Sequence, residues 1–183
     1  MAELFSNFQG YLQLNIPRIK WIILLGIVFF FLYCFIQKKD CTLECKNPVI
    51  KILCGFLLSL NCSFIFVMTL LGRKPDIMRE YRLIPFESYS ILISERNMEL
   101  LLQIIVNILM FVALGILLPS CFRIFEKYRN VVLFTASCSF GIELIQLIFK
   151  VGMFEVDDMI HNVLGVVIGS GLHMLCNKVR RVN

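Results

Sequence analysis

The sequence is poor in charge. Asp, Glu, Lys and Arg make up 17% of its 183 residues, against about 25% in a soluble domain. It has only five prolines and ten glycines, and no Pro/Gly/Ser-rich linker divides it, so one compact unit is expected. No glycine-rich phosphate loop, nucleophilic serine motif or nucleic-acid signature is present. Nucleotide-driven chemistry and nucleic-acid partners are therefore not expected. Eight cysteines occur, but most lie in or beside apolar runs, where cysteine behaves as a small hydrophobe. Cys41 and Cys45 form a lone C-x3-C, half a zinc site at best. Neither a disulfide framework, a metal nor a cofactor is expected.

What fills the chain instead is apolar. Hydrophobic residues make up 58% and the mean hydropathy is +0.81. Five runs are long enough, or nearly so, to cross a bilayer, which takes roughly 20 residues. They are Trp21–Ile36, Val49–Leu71, Leu100–Leu118, Val131–Phe149 and about Met159–Cys176. Too little polar chain remains to cover five such helices in water. The expected fold is all-α, a polytopic transmembrane bundle of about five helices. The segment after the first run, Gln37-Lys38-Lys39-Asp40, lacks the small residues of a signal-peptide cleavage site, so that run is read as a retained helix.

Charge sets the orientation. The N-terminal segment and the loops 72–99 and 150–158 carry eight Lys/Arg against nine Asp/Glu, whereas 37–51, 119–130 and the tail 177–183 carry ten against three. Basic residues mark cytoplasmic segments, so the N-terminus is expected outside. Residues 1–20 repeat apolar side chains (Leu4, Phe8, Tyr11, Leu12, Ile16) at helical steps and fit either a short interfacial helix or a disordered tail. Residues 21–71 hold two transmembrane helices, 72–176 an outer loop with three more, and 177–183 a basic cytoplasmic tail.

Polar residues inside apolar spans are costly and usually face a bundle interior. In the fourth run Thr135, Ser139, Glu143, Gln146 and Lys150 form one stripe. Glu99, Gln103 and Asn107 share a face of the third run, and Asp158, Asn162, Gly165 and Gly169 a face of the fifth. With a rise of about 1.5 Å per residue, Asn107 lies roughly 10–12 Å below the outer helix end, Glu143 about 9 Å and Asn162 about 6 Å. Similar depths on three helices suggest a polar pocket opening outward. Asn61 reads instead as interhelical glue, and Gly165 and Gly169, extended by Gly171, as a close-packing face. Asp157 and Asp158 open the fifth helix, where carboxylates cap free N–H groups. With His161 they make D-D-x-x-H, weak evidence for a cation. In the outer loop Arg79 and Arg82 can reach lipid phosphates, a ligand carboxylate or Glu143, or act as interfacial anchors, while Pro85 turns the chain to seat Phe86 in the interface.

Arg79, Leu83, Pro85 and Phe86, then Asn107 and Gly115, then Glu143 and Gln146, then Asp157, Asp158, Asn162, Gly165 and Gly169 follow one another in an order and spacing that resembles the VanZ-like family of bacterial membrane proteins. The resemblance covers about Arg79–Gly171. Arg82 stands where the family usually has asparagine, Ala113 where it has proline, Glu155 in place of an aspartate and Gly152 in place of a common arginine. Loss of that last charge suggests Arg82 as the partner of the acidic segment. The resemblance implies a multi-pass protein of the bacterial cell membrane acting in the envelope. The founding member lowers susceptibility to teicoplanin, a lipid-tailed antibiotic. Expected partners are membrane lipids and a lipid-linked envelope precursor or lipoglycopeptide, met by Arg79, Arg82, Pro85, Phe86, Asn107, Glu143, Gln146, Asp157, Asp158 and Asn162. The competing expectation is an intramembrane enzyme acting on a lipid head group, with Glu143 or Asp158 as general base. A small transporter is disfavoured, because no inverted repeat is visible and the polar residues sit in the outer half.

Overall fold

The computed structural model describes residues 2–39, 48–71 and 81–182, with side chains over 18–37, 48–71 and 81–178. Within these lie six α-helices: α1 (Ala2–Lys39), α2 (Pro48–Phe66), α3 (Glu87–Glu95), α4 (Met98–Cys121), α5 (Tyr128–Phe149) and α6 (Val156–Val182). A π-helical turn, Val67–Leu71, prolongs α2, and a 3₁₀ turn, Arg123–Glu126, joins α4 to α5. Two short strands, β1 (Tyr81–Arg82) and β2 (Phe154–Glu155), pair in parallel, Tyr81 with Phe154 and Arg82 with Glu155.

Five helices are long and apolar enough to cross a membrane: Arg18–Gln37, Pro48–Leu71, Met98–Cys121, Tyr128–Phe149 and Val156–Lys178. The protein is a multi-pass membrane protein. Its outer surface is apolar, with Phe31, Phe35, Ile52, Leu109, Leu133, Ile148, Leu164 and Leu175 all exposed. Its interior holds Thr135, Ser139, Glu143, Gln146, Asp157, His161 and Asn162 buried. Lipid tails solvate the first set, and only contact between helices can satisfy the second.

The helices meet where side chains are small. At α4–α6, a Cβ added to Gly115 would come within 2.7 Å of the Val166 carbonyl oxygen, and Cβ atoms at Gly165 and Gly169 would strike the carbonyls of Ile108 and Val112. Gly171 is different: nothing lies within 4 Å of its added Cβ, so the packed face ends at Gly169. Pro119 lies in the last turns of α4 and offers no N–H to Gly115 four residues earlier. Ser170 of α6 donates to that carbonyl at 3.4 Å. Helix α4 runs for 24 residues with Ala113 in its interior. Asn61 donates from α2 to the Met110 carbonyl of α4 at 3.2 Å, the interhelical role expected of it.

Candidate functional site

Residues 81–97, before α4, carry more order than their composition suggests. Glu87 N–H donates to Ile84 C=O at 3.3 Å, closing a turn with Pro85 and Phe86 at its centre. Phe86 has φ 67° and ψ 13°, the third position of a type II turn, which normally wants glycine or asparagine. A left-handed side chain costs roughly 1–2 kcal/mol. Asp157, at the start of α6, offsets that cost. Its Oδ1 accepts the Phe86 N–H at 2.5 Å and its Oδ2 the Ser88 N–H at 2.8 Å. A carboxylate from another helix thus serves as the N-terminal cap of α3, complementing the helix dipole. One turn on, His161 Nε2 lies 2.9 Å from the Tyr89 hydroxyl, with the two rings edge to face. Helix α3 is fastened to α6 at two points.

The other site residues form the layer below. Asn107 of α4 donates to Asp158 Oδ1 at 2.9 Å. Asn162 of α6 donates to Ser139 Oγ of α5 at 2.8 Å. Gln146 donates to the carbonyl of Thr69 at 2.9 Å, in the π-helical turn. Glu143 Oε2 accepts the Glu155 N–H at 3.0 Å, which fixes β2 against α5. Glu155 in turn lies 3.6 Å from the Arg82 guanidinium, the ion pair expected for the acidic segment. Helix α4 begins at Met98 under an Asn97 cap and α6 begins at Val156, both earlier than the apolar runs suggest. At about 1.5 Å per residue, Glu143 and Asn162 both lie about 9 Å below their helix ends and Asn107 about 13 Å.

Most of the expected site residues are thus brought to one end of the bundle: Arg82, Pro85, Phe86, Asn107, Glu143, Gln146, Asp157, Asp158 and Asn162. Arg79 lies outside the described residues, as do Cys41 and Cys45. The arrangement differs from an open cleft between the last three helices, because Asn107, Glu143, Gln146, Asp158 and Asn162 each bond a side chain or the backbone. The open space is one layer higher. A cavity of about 280 Å³ lies among Arg82, Glu155, Glu95, Asn97, Glu99 and Gln103, with Ile91 and Leu100 as its apolar wall. Beside it Leu83, Ile84, Phe86 and Ile93 stand exposed as an apolar rim. Composition gave no signal for Tyr89, Ser88 or Glu95, whose places depend on α3. Glu99 and Gln103 are visible in the helical spacing of the third run. Among the described residues no three His, Cys, Asp or Glu side chains are grouped to hold a metal ion.

The VanZ/LLP1 family model matches residues 21–177. The match takes in α1 and α2 as well as the half that carries the motifs. No curated protein and no solved structure matches the chain.

Proposed function

Because the chain belongs to the VanZ/LLP1 family, we propose that it acts in the bacterial cell envelope by engaging an amphiphile at the outer end of its bundle. The ligand is a membrane lipid, a lipid-linked precursor or a lipoglycopeptide such as teicoplanin. One observation carries the reading: a cavity lined by Arg82, Glu95, Glu99 and Glu155 lies beside an exposed apolar rim of Leu83, Ile84, Phe86 and Ile93. Charged groups suit a polar head, and the rim and the lipid-facing helices suit an acyl tail. The surplus of Lys/Arg in the opposite segments supports an outward-facing site.

Glu143 and Asp158 act here as positioning groups, since Glu143 holds the backbone of Glu155 and Asp158 holds Asn107. Neither lines the cavity, which favours binding over the enzyme reading. The test is teicoplanin susceptibility of a sensitive host expressing the protein. Arg82→Ala, Glu143→Gln and Asp158→Asn are each expected to abolish protection at unchanged expression, and a glycopeptide without an acyl tail to act equally on all strains. If all three variants protect as well as the parent, the pocket has no such role.

A further inference from the structure

Four polar side chains on α5 and α6 are at most 3% exposed: Thr135, Gln146, His161 and Asn162. Each has an atom with no hydrogen-bond partner among the described residues, namely Thr135 Oγ1, Gln146 Oε1, His161 Nδ1 and Asn162 Oδ1. Exchanging amide oxygen and nitrogen in Asn162 would only move the orphan to the other atom. Buried polar groups are nearly always bonded, to protein or to ordered water. Gln37 Oε1 on α1 and Asn61 Oδ1 on α2 are the other two such atoms among the described residues; what sets the later groups apart is that Thr135 and Gln146 lie on one buried stripe of α5, with Asn162 bonded to it through Ser139.

Their placement is linear. Thr135, Ser139, Glu143 and Gln146 follow one face of α5, all buried. Neighbours at such steps stand about 5–6 Å apart at Cβ, two hydrogen-bond lengths, the span of one bridging water. Asn162 reaches into this line through Ser139 Oγ at 2.8 Å. Thr135, Ser139 and Asn162 thus offer the two to four polar partners that a buried water needs. Counted at about 1.5 Å per residue, Thr135 lies about 21 Å below the Phe149 end of a helix about 33 Å long. The polar line therefore passes the middle of α5 and is not confined to the outer half. It stops one turn further on, at Val131, buried in one apolar cluster with Leu118 and Cys121.

We propose that the α5–α6 interior is a one-sided water file, entering at the Gln146 end, running past Glu143 and Ser139, and closed beyond Thr135 by Val131, Leu118 and Cys121. The file keeps a carboxylate deep in the bundle in contact with water from one side of the membrane only. It does not depend on the ligand proposed above, and the following measurements involve no ligand.

In the full chain in lipid nanodiscs, water-edited solid-state NMR reads how quickly water polarisation reaches each group. The side-chain amides of Asn162 and Gln146 are expected to build up as quickly as that of Asn97 at the bundle end. Build-up as slow as the methyls of Val166, which is fully buried, overturns the proposal. A second measurement is the melting temperature of Thr135→Val, a near-isosteric change that strips the innermost hydroxyl. Removing the partner of a bound water is expected to lower it. An unchanged or higher melting temperature is what a dry orphan hydroxyl gives, and it too would sink the file.

Discussion

Helices α1 and α2 and helices α4 and α6 both pack through glycine, but they do so against different things. In the first pair, a Cβ at Gly26 would meet the end of the Leu60 side chain, and one at Gly55 the Tyr33 ring. In the second, Cβ atoms at Gly115, Gly165 and Gly169 would meet carbonyl oxygens of the facing helix. A side chain can rotate away, whereas a helix backbone cannot yield without moving the whole helix. The polar contacts divide in the same way. In the hairpin, Ser59 and Thr69 bond carbonyls one turn back, and Ser63 bonds the Ile22 and Leu60 carbonyls. In the second region Ser170 also bonds a carbonyl, that of Gly115, but side chains bond side chains as well, Asn107 to Asp158 and, towards α5, Asn162 to Ser139. Only a fixed register can hold such pairs, and backbone-on-backbone packing supplies it. The α4–α6 contact is a precondition of the site.

The comparison breaks most sharply at the glycines. Gly169→Val is expected to destabilise by about 3 kcal/mol or more, at the top of the range for overpacking, because the Val112 carbonyl has nowhere to go. Gly55→Ala should cost about 1–2 kcal/mol, the expense of turning the Tyr33 ring aside. Gly171→Ala meets nothing and should be neutral or gain up to about 1 kcal/mol from helix propensity. Thermal melting of the three variants in nanodiscs orders them. If Gly169→Val melts beside Gly171→Ala, backbone contact does not set the register.

The next effect in size is local. Asp157→Ala strands the N–H groups of Phe86 and Ser88, and the buried one, that of Ser88, costs about 1–3 kcal/mol when unmet. The left-handed turn at Phe86 then has no compensation, so α3 should detach while the rest of the bundle stays folded. Hydrogen exchange across residues 86–95 is expected to rise several-fold, with exchange in α2 unchanged. Equal exchange in parent and variant would mean that the Tyr89–His161 contact alone holds α3.

The five spans, the interior polar stripe and the packing glycines are legible in the sequence because each obeys a helical repeat. Ser139 and Asn162 sit at positions that periodicity marks as inward. The short helix α3 is not legible. Its nine residues are preceded by a phenylalanine in a left-handed conformation and capped by a carboxylate 71 positions away, so nothing local announces its start. The cavity is not legible for the same reason: Ile91 and Glu95 reach it only through α3, and Arg82 and Glu155 through a two-residue ladder that no propensity encodes. Depth is half legible. Spacing places Glu143 correctly below its helix end, but the early starts of α4 and α6 depend on the Asn97 cap and on residues outside the apolar runs.

A smaller contrast lies between polar bonds in the two regions. Asn162→Leu is expected to cost about 0.6–1.7 kcal/mol, the range for interhelical hydrogen bonds in membranes. Ser63→Ala in the hairpin removes one hydroxyl that bonds two carbonyls and should fall at or below about 0.6 kcal/mol. Unfolding in mixed micelles resolves the pair. Equal costs would show that the two regions hold their polar groups alike.

Arg82→Ala is expected to change stability little, and it is the sharpest on function. Arg82 and Glu155 are 32% and 18% exposed at a separation of 3.6 Å. Such partly solvated pairs contribute about 0–1 kcal/mol, so the variant should melt within a few degrees of the parent. A double-mutant cycle with Glu155→Gln isolates the pair and should shrink as salt is raised. Yet among the described residues that line the cavity Arg82 is the only cation, set among three carboxylates. Removing it leaves that charge unbalanced where the ligand head is proposed to sit. Loss of teicoplanin protection at unchanged melting temperature would separate the cavity from the scaffold beneath it. Loss of both together would instead make Arg82 part of the fold and leave the ligand reading without its main support.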